Sequence, residues 1–241
     1  MRYLMTFSYD GTNFNGYQKQ PDSRTVQEEI EKCLTMLNSN KFVSISATGR
    51  TDAKVHALNQ MAHFDLDNNI ENLEFRLNKM LPDDIYVKKV VLVSDDFHAR
   101  FNVKSKEYIY YINVGEYNPF KRNYQYQYNK DLDVDKMDEA LKILIGEHDF
   151  KSFTKANSEI DDYVRTIFKT SVSKNEDIIK ISIEGSGFLR YMVRNIVGLL
   201  IEIGEGKKNI KDVSTILEAK DRTESSPTAP ACGLYLNKIN Y

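Results

Sequence analysis

Alternating apolar and polar positions predict strands in the first half of the chain. Tyr3, Met5, Phe7 and Tyr9 fall on one face of the first stretch, with mostly polar side chains between them. This period of two is typical of a half-buried strand. Similar patterns predict further strands over residues 43–48, 58–65, 85–87 and 90–93.

Apolar residues at helical spacing predict the helices. The first runs from Val26 to Leu37, and Thr25 with Glu28 has the spacing of a capping box at its start. Another apolar stripe begins behind the glycines at 185–187 and carries Arg190 and Arg194 on its other side, one turn apart. This stripe predicts a helix over residues 189–203, and further helices are predicted around residues 73–81, 134–145 and 210–217.

The second half repeats this mixture of elements. Residues 165–173 and 179–184 predict a hairpin, and a last strand begins at Gly233. We expect an α+β fold of two halves, 1–100 and 101–241, each a mostly antiparallel sheet flanked by helices. Their similar element order indicates an internal pseudo-duplication. With no low-complexity linker between them, we expect the halves to pack tightly.

Composition narrows the class of protein. The chain has 241 residues, of which 28% are charged and 41% apolar, as in globular domains. It has no apolar run of 18 residues, which predicts no transmembrane helix, and the first residues do not resemble a signal peptide. Cys33 and Cys232 fit neither a disulfide framework nor a metal-ligand spacing. We therefore expect a cytoplasmic protein without a metal site.

The charge distribution leaves room for a local nucleic-acid surface. The net charge is −2, whereas nucleic-acid-binding domains are usually basic. Residues 97–128, however, interleave basic side chains with seven tyrosines. Cations that bind phosphates and aromatic rings that stack on bases are typical of a surface for single-stranded RNA. A solvent-facing strand would show the same tyrosine alternation. The basic residues are Arg100, Lys104, Lys106, Lys121 and Arg122.

The loop between the second and third predicted strands concentrates reactive side chains. Gly49, Arg50, Thr51 and Asp52 are consecutive there. An aspartate in a loop is ordinarily a turn residue that accepts hydrogen bonds from nearby amides. The same carboxylate could instead act as a nucleophile or a base.

The string GRTDAKVHA, residues 49–57, closely resembles the signature of the tRNA pseudouridine synthase A (TruA) family. In that family the aspartate is the nucleophile, which here is Asp52. Lys54 stands where the family usually has glycine, and Tyr17 where it usually has tryptophan. Other stretches that resemble family motifs are residues 9–18, 24–27, 106–112, 185–198 and 230–236.

The resemblance implies the pseudouridine synthase fold, with a catalytic cleft between the halves, and the isomerisation of uridine to pseudouridine in tRNA without a cofactor or metal. It implies that Tyr110 contacts the target base. Arg194, or alternatively Arg50, would keep the Asp52 carboxylate ionised.

The uridine must also leave its stack to reach Asp52. Arg50 is the candidate for filling the space that it leaves. Val55 and Leu234 are candidates for an apolar wall that excludes water.

The resemblance also implies a target and an assembly. The target would be the anticodon stem-loop, at tRNA positions 38–40, and the protein would act as a homodimer with no membrane contact. Three other functions remain open: an RNA-binding protein without chemistry, a family member with a shifted RNA target, and a nucleoside or glycosidic hydrolase. The hydrolase would need a second carboxylate, and no paired spacing stands out.

Overall fold

The strands and helices of the chain fall into two units. The computed structural model describes residues 1–156 and 160–241. One unit comprises Met1–Lys104 together with Tyr235–Tyr241, and the other comprises Ser105–Leu234. The first unit therefore contains both ends of the chain, and the second is a continuous segment.

The first unit is built on an antiparallel core of three strands in the order β4-β1-β3. The short β2 pairs antiparallel with β3, and β10 pairs with β3 in parallel. Apolar side chains of β1, such as the fully buried Met5 and Phe7, lie in the core, as the alternation predicts. The strands are β1 (Arg2–Tyr9), β2 (Ser46–Ala47), β3 (His56–Asp65), β4 (Ile85–Val93) and β10 (Leu234–Asn240).

Two helices accompany these strands, α1 (Val26–Leu37) and α2 (Leu73–Met80). The predicted capping box at α1 is wrong, because Thr25 occupies the N-cap position but its side chain makes no capping hydrogen bond. Backbone carbonyls of the preceding loop take this role: Val26 N donates to Gly16 O and Gln27 N to Tyr17 O. The Thr25 hydroxyl is buried and has no hydrogen-bond partner among the described residues.

The second unit is an antiparallel sheet in the order β5-β9-β8-β7, with the short β6 paired in parallel with β5. The predicted hairpin is confirmed as β8 and β9, which turn at Glu176. The strands are β5 (Ser105–Asn113), β6 (Tyr126–Gln127), β7 (Gly146–Asp149), β8 (Val164–Asn175) and β9 (Ile178–Gly185). The helices are α3 (Val134–Lys142), α4 (Met192–Gly204) and α5 (Asp212–Ala219).

Helix α4 begins later than predicted. Its N-cap residue Tyr191 has φ of 67°, a left-handed conformation that interrupts the helix before Met192. Arg190 therefore lies outside the helix, and the prediction that it shares a helix face with Arg194 is wrong.

The α+β fold with mostly antiparallel strands is confirmed. Among the described residues, no helix combines the length and apolar character needed to cross a membrane.

Candidate active site

The loop that carries Asp52 connects β2 and β3 and is held in place by backbone hydrogen bonds. Tyr17 N donates to Thr51 O at 3.1 Å, and Lys54 N donates to Phe14 O at 3.3 Å. These bonds fix the chain one residue before and two residues after Asp52, which is partly exposed. The carboxylate is thus carried by a loop with a defined backbone position.

Two glycines of the segment after β1 allow it to lie close to this loop. A Cβ atom on Gly11 would be 2.1 Å from the carbonyl oxygen of Val55, closer than any real contact. Gly16 has φ of +100°, which favours glycine, and a Cβ there would be 3.0 Å from Thr51 O. The resemblance of residues 9–18 to a family motif therefore has a physical basis, since this segment packs against the Asp52 loop.

Buried polar side chains support the same loop from inside. The hydroxyls of Tyr9 and Thr51 form a hydrogen bond of 2.7 Å, and burial raises the pKa of Tyr9 to about 12. His56 is 2% exposed, and its Nδ1 accepts a hydrogen bond from Gly11 N at 3.0 Å. This bond ties His56, at the start of β3, to the segment after β1. The role of Tyr9 was missed, because its pattern indicates only a strand residue.

The other two first-unit candidates differ in exposure. Arg50 is exposed, and its Nη1 donates to the side-chain oxygen of Gln18. Val55 is 1% exposed. An exposed guanidinium is available to a ligand, whereas Val55 contributes an apolar interior side chain at the end of the loop. Among the described residues, no three His, Cys, Asp or Glu side chains form a group that could hold a metal ion.

Tyr110 lies on β5 with its side chain fully buried. Its hydroxyl donates to the carbonyl oxygen of Pro230 at 2.7 Å. Burial raises the pKa of Tyr110 well above its usual value, while the nearby charge of Arg194 acts in the opposite direction. Gly233 makes the close packing possible, because a Cβ there would be 2.7 Å from two ring atoms of Tyr110.

Arg194 is held at the same loop as Tyr110. Its Nε donates to Ala229 O at 2.7 Å, and Ala229 N donates back to Arg194 O at 3.1 Å. The guanidinium carbon lies 5.0 Å from the ring centre of Tyr191. Leu234, which is 5% exposed, follows this loop in sequence. Residues 229–233 therefore bring Tyr110 and Arg194 together.

A buried amide organises this loop, and sequence reasoning missed it. Asn195 is fully buried, and its Nδ2 donates to Phe153 O at 2.7 Å. Its Oδ1 accepts hydrogen bonds from Thr228 Oγ1 at 2.6 Å and from Arg222 Nη2 at 3.2 Å. The signal that could have identified it is a polar residue on the apolar stripe of α4, next to Arg194.

The six predicted site residues thus form two groups. Asp52, Arg50 and Val55 belong to one loop of the first unit. The others, Tyr110, Arg194 and Leu234, surround residues 229–233 of the second unit.

Comparisons with known proteins agree with the motifs. A family model described as tRNA pseudouridine synthase matches residues 5–102 and 140–241. The tRNA pseudouridine synthase A of Anoxybacillus flavithermus is 47% identical over 100% of this chain and 98% of its own length. The enzyme of the same name from Bacillus subtilis is 46% identical over 100% of this chain and 99% of its own length.

A solved structure described as "Structure of H/ACA RNP bound to a substrate RNA containing 2'-deoxyuridine" matches far less closely. Its TM-score is 0.35 with 12% identity, over 83% of this chain and 53% of that chain. A similarity of this size carries no conclusion.

The family model includes five of the six predicted residues, and Tyr110 lies in its gap between residues 102 and 140. The full-length relatives include that segment as well. On the family model and these relatives together, the chain belongs to the tRNA pseudouridine synthase family, a family of isomerases.

Proposed function

We propose that this chain converts uridine to pseudouridine at positions 38–40 of the tRNA anticodon stem-loop, with Asp52 as the nucleophile. The observation that supports this role is the backbone anchoring of the Asp52 loop through Thr51 and Lys54. A nucleophile needs a fixed position, because small displacements from the reacting atom are costly in rate.

The reaction is an isomerisation in which atoms balance within the nucleoside. The bond between C1′ and N1 breaks, the uracil turns, and a bond between C1′ and C5 forms. C5 then loses its proton and N1 gains one. The Asp52 carboxylate can attack C1′, as in a retaining glycosidase, or add to the uracil ring.

The other residues bind and position the substrate in this proposal. Arg50 is exposed and suits the RNA backbone or the space that the flipped uridine leaves. Tyr110 stacks on the uracil, which requires a displacement around its buried ring on RNA binding. Arg194 keeps the Asp52 carboxylate ionised, with Arg50 as the alternative, and Val55 and Leu234 exclude water.

The proposal includes the setting in which the protein acts. Relatives named tRNA pseudouridine synthase A support tRNA as the substrate. We propose that the anticodon arm is the part recognised, through its shape and backbone. We also propose a homodimer that acts in the cytoplasm without a cofactor.

The test compares wild type with Asp52→Asn and with a control, Asp67→Asn, which removes an exposed carboxylate that pairs with Lys41. Each protein is incubated with unmodified tRNA, and pseudouridine is mapped at single-nucleotide resolution. We expect pseudouridine at positions 38–40 with wild type and Asp67→Asn, and none with Asp52→Asn.

Other outcomes would contradict the proposal in distinct ways. Released uracil would indicate a hydrolase, and binding without a change in any uridine would indicate an RNA-binding protein. Pseudouridine elsewhere in the tRNA would indicate a shifted target.

A further inference from the structure

The segment between β5 and β6 exposes aromatic rings to an unusual degree. Phe120 is 86% exposed and Tyr117 is 54% exposed. Phe120 has the largest exposed fraction among the large apolar side chains of the described residues. Exposing a ring of this size gives up the free energy that burial would provide, so a binding role is a natural explanation.

Hydrogen bonds hold this segment in one conformation. Asn118 is central: its backbone N donates to Gln127 Oε1 at 2.9 Å, and its Oδ1 accepts from Phe120 N at 3.0 Å. Asn113 Nδ2 donates to Glu116 O and to Gln127 Oε1, both at 2.8 Å. The exposure of Phe120 is therefore a property of an ordered loop.

Two cations follow the exposed ring directly. Lys121 and Arg122 are exposed, and Arg122 Nη1 donates to Pro119 O at 2.6 Å, which orients the guanidinium within the loop. Glu116 is the acidic residue of the segment. The loop thus presents aromatic rings and an excess of positive charge side by side, in a chain whose net charge is −2.

We propose that residues 117–122 form a binding surface for unpaired RNA, referred to below as the Phe120 loop. A base stacks on Phe120, and adjacent phosphates bind Lys121 and Arg122, because every base has a π face and the cations match the backbone charge. The proposal deepens the proposed function, since it rests on tRNA being the substrate. The Phe120 loop lies outside the residues that the family model matches.

The first test measures the dissociation constant for an unmodified anticodon-arm RNA with wild type and Phe120→Ala. The matched control is Phe75→Ala, which removes a ring on α2 that is 64% exposed and lies 5.6 Å from Lys79 Nζ. We expect Phe120→Ala to weaken binding about 5- to 100-fold, the range for loss of one stacked base. The control should bind as wild type does.

The second test separates charge from stacking through the salt dependence of binding. The association constant K falls as the salt concentration rises. Replacing Lys121 and Arg122 by glutamine should make the negative slope of log K against log salt concentration shallower by about one to two. Phe120→Ala should leave that slope unchanged, because a stacked ring releases no counterions.

Single-turnover pseudouridine formation at saturating enzyme distinguishes this proposal from the one on Asp52. We expect Asp52→Asn to form no pseudouridine there, whereas Phe120→Ala still forms it and requires more enzyme to reach saturation. If wild type forms no pseudouridine but Phe120→Ala still weakens RNA binding, the proposed function fails and the RNA surface stands.

Equal RNA affinity of Phe120→Ala and Phe75→Ala would overturn the RNA surface. A change in oligomeric mass on Phe120→Ala, with RNA affinity per subunit unchanged, would assign the Phe120 loop to contacts between protein chains.

Discussion

At the scale of single residues, the structure shows the conformational cost of one departure from the family pattern. Lys54 has φ of 65°, in the left-handed region. A residue with a side chain loses about 1–2 kcal/mol in that region relative to its preferred conformations. Glycine, which the family usually has at this position, avoids that loss. Lys54 therefore places a strained residue two positions after Asp52.

Replacing Lys54 by glycine should raise the free energy of unfolding by about 0.5–1 kcal/mol, because relief of the strain exceeds the greater flexibility of the unfolded chain. Urea denaturation measures this change. The control is Lys32→Gly on the exposed face of α1, which should lower stability by about 1 kcal/mol. A loss of stability in Lys54→Gly would show that the lysine side chain makes a compensating contact.

At the scale of elements, periodicity predicted most helices and strands, whereas their ends depended on contacts that sequence spacing does not report. The start of α4 is set by Tyr191, whose left-handed backbone conformation could not be predicted from its residue type. The start of α1 is capped by Gly16 O and Tyr17 O, which come from a loop folded back onto it. The spacing of Thr25 and Glu28 predicts a side-chain cap, because a local pattern holds no information about carbonyls that a distant loop supplies.

The contact between α4 and the loop before β10 gives a prediction at this scale. A Cβ on Gly198 would lie 1.9 Å from the carbonyl oxygen of Pro227. Alanine ordinarily stabilises a helix relative to glycine by about 0.5–1 kcal/mol. Here we expect Gly198→Ala to lower stability by about 2 kcal/mol or more, because backbone must shift to relieve the overlap.

Thermal and urea unfolding of Gly198→Ala can be compared with Ser214→Ala on the exposed face of α5, which should be nearly neutral or slightly stabilising. If Gly198→Ala is as stable as wild type, α4 and this loop can separate without loss. Since Arg194 and Asn195 both bind the same loop, we expect the substitution to reduce pseudouridine formation as well.

At the scale of the whole molecule, the family, the fold class and six candidate site residues could be predicted from the sequence. The residues that hold these candidates in place could not. The Asp52 motif is contiguous, so its letters are visible together. Tyr9 and Asn195 contribute through contacts with residues far along the chain, Thr51 and Thr228 respectively. Such pairings depend on the fold.

The pH dependence of stability is a property of the whole molecule, and we expect His63 to contribute to it. Burial, followed by the charge of His98, lowers the pKa of His63, and its Nδ1 accepts a hydrogen bond from Ala99 N at 3.1 Å. The unfolded chain therefore binds this proton at a higher pH than the folded one. The contribution of neutral His63 to the free energy of unfolding should be fully present above about pH 6.5, and it should decrease as the pH falls below that value.

Urea denaturation at several pH values between about 7 and 5 measures this effect. His63→Asn retains a hydrogen-bond acceptor but cannot take up the proton, so its stability should vary less over this range. An identical pH slope in wild type and His63→Asn would assign the dependence to other groups.

The membership of Tyr235–Tyr241 in the first unit has a consequence for synthesis of the protein on the ribosome. Tyr235 and Leu236 pair with His56 and Ala57 of β3, and the Tyr241 hydroxyl donates to Ala99 O. Because the ribosome synthesises a chain from its N-terminus, β3 cannot pair with this strand until all of Ser105–Leu234 has been translated. During translation, the whole sequence of the second unit is therefore synthesised before the unit that carries Asp52 can acquire its last strand.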